Sequence, residues 1–330
     1  MKVLITGAGG FLGSAIAKKL LTRGDSVRGI ARASYPPLSQ LGVEMLQGDI
    51  SDYAAVREAV RDCDAVIHVA AKAGVWGSYQ SYYQPNVIGT ENVIRACREQ
   101  GIKRLVYTSS PSVVFDGKDE NGVDESAPYA KKHLCFYSET KATAEKQILA
   151  ANSAELMTVA LRPHLMWGPG DPHLLPRIIN RARVGRMRII GWQDKLIDTV
   201  YVDNAADAHI LALDKLQPDA AIAGKTYFIS NDQPMLLVDI VNKMLDSAAI
   251  APLKKRVPIG FAFGVATLLE FVYTALKIEQ EPLLTRFLVR QLSAAHWFNI
   301  SAAKRDLGYQ PQISIDQGIE ILRQSFDGTF

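Results

Sequence analysis

Cysteine is scarce in this chain: Cys63, Cys97 and Cys135 are the only three among 330 residues, and none stands at CxxC spacing. An odd number without ligand spacing argues against both a disulfide framework and a zinc site. The six histidines show no metal-ligand spacing either, so no metal is expected. The formal net charge is only +3, both signs are interspersed, and no basic run stands out. Nothing in the charge calls for nucleic acid. The chain also lacks internal repeats and low-complexity linkers. Its first residues, Lys2-Val-Leu-Ile-Thr6, already read as a strand, leaving no space for the basic and apolar regions of a signal peptide. A reducing, cytoplasmic setting is the expectation.

What is present is ordinary globular material, 48% hydrophobic and 22% charged. The length exceeds the roughly 250 to 300 residues at which single cores stop growing, which predicts two lobes and a cleft. β-Branched runs at Val3–Ile5, Ser26–Ile30, Val43–Leu46, Ala65–Val69, Arg104–Thr108 and Leu156–Ala160 alternate with helical-period segments. That alternation predicts an α/β fold: a Rossmann-type, doubly wound parallel sheet with helices on both faces. Ligands of such sheets lie at the carboxyl ends of the strands. Past Arg162 the pattern turns irregular, with helical stretches near Val202–Leu216, Leu236–Ala248, Gly260–Ile278 and Ile315–Phe326. We therefore divide the chain into a nucleotide-binding domain, 1–162, and a smaller, mostly helical substrate lobe, 163–330, some of whose segments return to the sheet.

The first strand runs into Thr6-Gly-Ala-Gly-Gly-Phe-Leu-Gly13 and then into an apolar-periodic helix. Glycine in such a turn lets the backbone approach a pyrophosphate, while the helix N-terminus supplies amides and a favourable dipole. Gly7, Gly10, Phe11, Leu12 and Gly13 are thus candidate cofactor contacts. NAD-selective sites place an acidic residue about 20 positions further on, at the end of the second strand, to hold the ribose hydroxyls. Here that strand ends Arg28-Gly-Ile-Ala-Arg32-Ala-Ser34, with Ala31 at the acidic position. Arg32, joined by Arg28 and Ser34, is suited to a 2′-phosphate, so NADP(H) is preferred over NAD(H). Asp49-Ile50, after the third strand, caps the adenine, or else Asp49 is the N-cap of the following helix.

Tyr137-Ser-Glu-Thr-Lys141 opens a predicted helix, where i,i+4 spacing places phenol and amine on one face. A nearby ammonium would lower the tyrosine pKa toward the working pH and make Tyr137 a proton donor or acceptor. Lys141 would also hold the nicotinamide ribose. The fifth strand ends Tyr107-Thr-Ser-Ser-Pro-Ser112, bringing hydroxyls to the same edge; Ser110 is the candidate to polarise a carbonyl, with Ser109 and Ser112 as alternatives. Asn86 reads as a helix-starting polar residue or as support for this group. His68 and His164 read as packed or cofactor-lining residues.

Taken together, Thr6-Gly-x-x-Gly-x-x-Gly13, His68-Val-Ala-Ala71, Asn86-Val-x-Gly-Thr90, Thr108-Ser-Ser110, Tyr137-x-x-x-Lys141 and Leu161-Arg-Pro-x-x-x-x-Gly-Pro-Gly-Asp171 resemble the extended short-chain dehydrogenase/reductase superfamily over nearly the full length. The resemblance implies that Ser110, Tyr137 and Lys141 are catalytic and that Asn86 supports their network. It also implies that Ala70 and Ala71 line the cofactor and that Pro163 to Leu165 pass the nicotinamide. Ser110-Pro-Ser-Val-Val-Phe-Asp-Gly117, Glu281-Pro-Leu-Leu-Thr285 and the segment from Asn299 to Pro311 resemble the 3β-hydroxysteroid dehydrogenase branch. Within it they look most like the bacterial 2-alkyl-3-oxoalkanoate reductases of long-chain olefin formation, which implies reduction of a β-keto acid to a β-hydroxy acid.

An apolar substrate also agrees with residues 257–278, an almost uncharged stretch including Phe261, Phe263, Leu268, Leu269, Phe271 and Tyr273. About 20 such residues can span a bilayer, but Glu270 and two glycines stand against that. A core helix, or an apolar lid or peripheral membrane contact beside Lys254, Lys255 and Arg256, are the readings kept open. Rival functions are a sugar-nucleotide epimerase or dehydratase, a steroid or sterol dehydrogenase, and a non-catalytic NADP(H) sensor. The family resemblance suggests a homodimer formed through helices near 81–100 and 137–151.

Overall fold

The computed structural model describes residues 1–327. Seven parallel strands form the central sheet: β1 (Lys2–Thr6), β2 (Ser26–Ala31), β3 (Glu44–Gln47), β4 (Ala65–His68), β5 (Arg104–Thr108), β6 (Met157–Pro163) and β7 (Lys225–Ile229). Their order across the sheet is β7-β6-β5-β4-β1-β2-β3. The chain winds outward from β1 in one direction, then restarts at β4 in the other, so the crevice between β1 and β4 is the topological switch point where such sheets bind ligands. β6 is buried at all seven positions, as befits a strand covered on both faces.

The longer helices are α1 (Phe11–Thr22), α2 (Tyr53–Val60), α3 (Gly89–Glu99), α4 (Phe136–Ala150), α5 (Leu174–Arg183), α6 (Val202–Lys215), α7 (Leu237–Ser247), α8 (Ile259–Ala275), α9 (Arg286–Ser293) and α10 (Ile315–Asp327). On one face of the sheet, α1 and α6 bury Leu12, Ile16, Leu20, Ala205, Ala212 and Leu213 with Val3, Ile5 and Val159. On the other, α2, α3 and α4 bury Val56, Val93 and Ile148 with Leu4, Val66 and Leu105. Each full side-chain burial of this kind is worth about 1.5–3 kcal/mol, which holds the strand ends in register.

Residues from the second half complete the sheet as β7 and cover it as α6. The remainder forms the smaller lobe around Trp167, Ile178, Ile240, Leu245 and Leu322. Within it a four-stranded mixed sheet joins 235–236, 196–197, 296–298 and 120–123. The four helices foreseen past residue 200 form with boundaries within three residues of those expected.

Candidate active site

The glycine turn closes as its sequence implies. Gly7 adopts φ +70, the left-handed region that side chains disfavour, and a Cβ there would stand 2.9 Å from the Ala70 Cα. A Cβ on Gly13 would lie 2.2 Å from the Gly7 carbonyl oxygen, so α1 docks on the turn only because Gly13 has none. The N-cap, Gly10, offers no side-chain hydrogen bond to the first helical amides. A helix of 12 residues whose first turn is left uncapped at the carboxyl edge of β1 fits a phosphate group. Phe11 is half-buried and Leu12 fully buried, so both present backbone to that position. Ala70 donates its amide to Thr6 Oγ1 at 3.1 Å, holding the end of β4 against the turn, while Ala71 is exposed next to it.

Arg32 stands exposed at the end of β2 without an ion pair among the described residues. Its expected companion Arg28 is elsewhere. It faces the α2 side, where its Nη2 lies 2.8 Å from Glu44 and its Nη1 donates to the Ala59 and Arg61 carbonyls. Position along the strand explains the correction: Arg28 lies within the β1–β2–β3 pairing, well short of the carboxyl end, whereas Arg32 lies past the last pair, Ala31 with Gln47. Sequence reasoning missed Tyr35, whose ring covers Gly9 so closely that a Cβ there would come within 2.2 Å of it. Asp49 is exposed, its carboxylate accepting the Ser51 amide at 2.8 Å and its carbonyl the Asp52 amide at 3.0 Å. The N-cap of α2 is Asp52, accepting from Ala54 at 2.9 Å, so the capping reading of Asp49 is set aside. Ile50 is buried against Gly89, and its carbonyl takes the Asn92 amide at 3.0 Å.

Across the crevice, α4 and the end of β5 converge. Lys141 is 2% exposed, donates to the Thr108 carbonyl at 2.6 Å and lies 4.2 Å from the Tyr107 ring centroid. Tyr137, one turn earlier and half-buried, has its hydroxyl in contact with that of Ser110. Ser110 also accepts from the Ser112 amide at 3.2 Å, with the two hydroxyls 2.9 Å apart. Ser109 turns to the Glu145 side and is buried. Asn86 is no helix start. It sits in a π-helical turn, Gln84–Ile88, where its Oδ1 accepts from the Lys72 amide at 2.7 Å and its Nδ2 donates to Thr140 at 3.0 Å. It thereby ties the loop after β4 to the helix carrying Tyr137 and Lys141.

The electrostatics differ from the sequence expectation. Burial raises the Tyr137 pKa above the usual tyrosine value, with the Ser110 hydrogen bond opposing. Burial also pulls Lys141 down to about 7, with Glu145 opposing. A lysine that loses its proton first has no charge left when the phenol would ionise, so in the protein alone it does not depress Tyr137. Instead it supplies an amine that titrates near neutrality. Glu145 itself, despite burial, is held below the usual carboxylate range by Arg162, whose Nη2 lies 2.5 Å away.

His68 is packed, within 2.6 Å of Thr6 Oγ1 and 3.0 Å of Thr90 Oγ1; burial lowers its pKa to about 3. Past buried Pro163, His164 lies 2.5 Å from Asp198 and 3.1 Å from His296, linking the end of β6 to the small sheet. Leu165 then takes φ +39. A left-handed non-glycine residue costs about 1–2 kcal/mol and is a mark of functional segments. Asp171 accepts from the His173, Leu174 and Leu175 amides and starts α5. Further along the chain, Glu281 takes Arg177 at 2.7 Å, and Thr285 caps α9. These last pairings join segments far apart in sequence and were not foreseen.

A family model described as the 3-beta hydroxysteroid dehydrogenase/isomerase family matches residues 4–259. The chain is 49% identical over 329 residues to a 2-alkyl-3-oxoalkanoate reductase of Shewanella oneidensis, covering 97% of this chain and 85% of that protein. It is 48% identical to the reductase of the same name from Stenotrophomonas maltophilia, covering 98% and 99%. The solved structure of gox2253 superposes with a TM-score of 0.78 at 27% identity over 98% of each chain. With the sheet and the Ser110, Tyr137 and Lys141 cluster, this defines an oxidoreductase of the extended short-chain dehydrogenase/reductase class. Within that class, the chain belongs to the 3-beta hydroxysteroid dehydrogenase/isomerase family.

Proposed function

We propose that the protein reduces the ketone of a 2-alkyl-3-oxoalkanoate to the 3-hydroxy acid with NADPH. The observation that carries this reading is the likeness, at 48–49% identity over almost the whole chain, to two reductases so named. Gly7, Gly10, Phe11, Leu12 and Gly13 would hold the pyrophosphate, Arg32 the 2′-phosphate, Asp49 and Ile50 the adenine end, and Ala70, Ala71, Pro163 and Leu165 the nicotinamide half. When bound, the reduced nicotinamide supplies the hydride to the C3 carbonyl carbon. Ser110 and Tyr137 donate hydrogen bonds to the carbonyl oxygen as charge develops on it, and Tyr137 gives that oxygen its proton. Lys141, whose pKa burial lowers to about 7, would hold the ribose and help restore the Tyr137 proton. Asn86 positions both residues through Thr140 and the Lys72 loop. The unpaired Arg32 supports NADP(H) over NAD(H), because a guanidinium recognises a phosphate by charge-assisted hydrogen bonds.

The reading extends to a homodimer through the helices near 81–100 and 137–151, supported by rings beside them, where Tyr79 stacks on Tyr83 and meets the exposed Phe136 edge-on. The test is NADPH oxidation by purified protein with a long-chain 2-alkyl-3-oxo acid, with NADH, a 3-oxosteroid and UDP-glucose as comparisons. Turnover specific to the acid and NADPH supports the proposal. Activity confined to the steroid or the sugar nucleotide overturns the substrate. Tight cofactor binding without any turnover would favour a sensor.

A further inference from the structure

Helix α8 buries only Ala262 and Ala266 among its 17 residues. Phe261, Leu268 and Phe271 are 65%, 63% and 71% exposed, and Leu276, which follows the helix directly, is 67% exposed. A core helix is therefore ruled out, and monomeric proteins seldom leave so much contiguous apolar surface bare without a use. The one acid within the helix, Glu270, is turned to α9, where Arg286 meets it at 2.5 Å and donates its backbone amide as well. Its charge is thus compensated at the edge of the apolar face.

The N-terminal end of this helix is cationic. Strand Arg256–Val257 pairs with Ile189–Ile190, and Ile189 donates its amide to the Lys255 carbonyl at 2.9 Å. That pairing sets Arg186 and Arg188, which precede one strand, beside Lys254 and Lys255, which precede the other. Lys254 and Lys255 are exposed without ion pairs among the described residues, and Arg188 bonds only backbone carbonyls. Arg256 alone is paired, with Asp194. Along the helix, Arg290 lies over the Phe263 ring, and past its far end Lys277 and Glu279 are both exposed. An apolar helix with cations at its rim matches an interface whose interior is hydrocarbon and whose surface is anionic.

We propose that α8 and the basic group of Arg186, Arg188, Lys254 and Lys255 form a docking surface for an anionic phospholipid membrane, with the helix lying in the interface plane. The helix is too short to cross, and no helix among the described residues is long and apolar enough to do so. The surface adjoins the site: the loop leaving β4 is bonded to the end of this region through Trp76 Nε1 and the Ile278 carbonyl, at 3.0 Å. A substrate dissolved in the bilayer would meet the cleft from this side. The docking itself does not depend on which ketone is reduced.

The test is co-sedimentation of the full chain with vesicles of phosphatidylcholine alone or of phosphatidylcholine with phosphatidylglycerol, at low and high salt. Binding to the anionic vesicles is expected, weakened by salt and by omission of phosphatidylglycerol. Lys254→Glu with Lys255→Glu should weaken it at least about tenfold, each cation near such a surface being worth about fivefold. Leu268→Ser with Phe271→Ser should abolish it, while melting temperature and NADPH binding stay unchanged. Absence of binding to anionic vesicles overturns the proposal. So does a concentration-dependent dimer that the Leu268 and Phe271 changes dissociate, because a second copy would then cover the helix.

Discussion

Strand β1 and helix α8 are comparably apolar, yet β1 buries four of its five residues and α8 only two of its seventeen. β1 has β2 on one side, β4 on the other and helices on both faces. α8 has α9 and a two-residue strand beneath it and solvent opposite. Apolarity leads to burial only where partners exist on every side. The half built around β1 uses its hydrophobic residues to fix the glycine turn, whereas the other half leaves part of its own exposed along α8.

That contrast can be broken most forcefully at Gly13. Gly13→Val places carbon 2.2 Å from a backbone oxygen, so the loss of stability should exceed the ~1–3 kcal/mol of ordinary overpacking, and NADPH binding should vanish; calorimetry and cofactor titration check both. Acid comes next. Burial holds His68 and His296 at about 3 and His209 at about 4, all below the ordinary 6.5. Between these values the unfolded chain binds more protons than the folded one, so stability falls as pH drops through that window. Each histidine contributes up to about 1.4 kcal/mol per pH unit. Melting temperature should therefore decline steeply from pH 6 to pH 4, and a flat profile would mean these rings are not buried neutral. Arg32→Ala should weaken NADPH by about tenfold to a hundredfold, the worth of a charged hydrogen bond, and leave NADH alone; equal losses would remove Arg32 from the phosphate site. Smallest is Phe271→Ser, which should change stability by less than about 0.5 kcal/mol despite deleting an aromatic ring. A core-sized loss there would place the helix inside a larger folded assembly.

The difference in how the halves are built also governs what could be read from sequence. The glycine turn, the hydroxyls after β5 and the Tyr137/Lys141 spacing each lie within one strand-turn-helix unit, so local pattern sufficed. Arg28 misled because a strand pattern does not say which residue passes the last pairing. The capping reading of Asp49 was off by three positions, since two aspartates precede α2 and only Asp52 has the capping geometry. The coupling of Lys141 to Tyr137 depended on burial, which spacing does not contain. His164, Asp198 and His296, Arg177 with Glu281, and the basic group at α8 each join distant segments. Of the last, the sequence offered only Lys254, Lys255 and Arg256; Arg186 and Arg188 join them through the pairing of 189–190 with 256–257, which neither segment reveals alone.

The central claim is that the group converging at the end of β5 moves the proton, and Tyr137→Phe tests it most directly. NADPH binding should be nearly unchanged, while reduction of the 2-alkyl-3-oxo acid should fall by at least the factor of about 10²–10⁴ typical of a lost general acid. Turnover within a few-fold of the parent protein, with the cofactor still bound, would contradict the account.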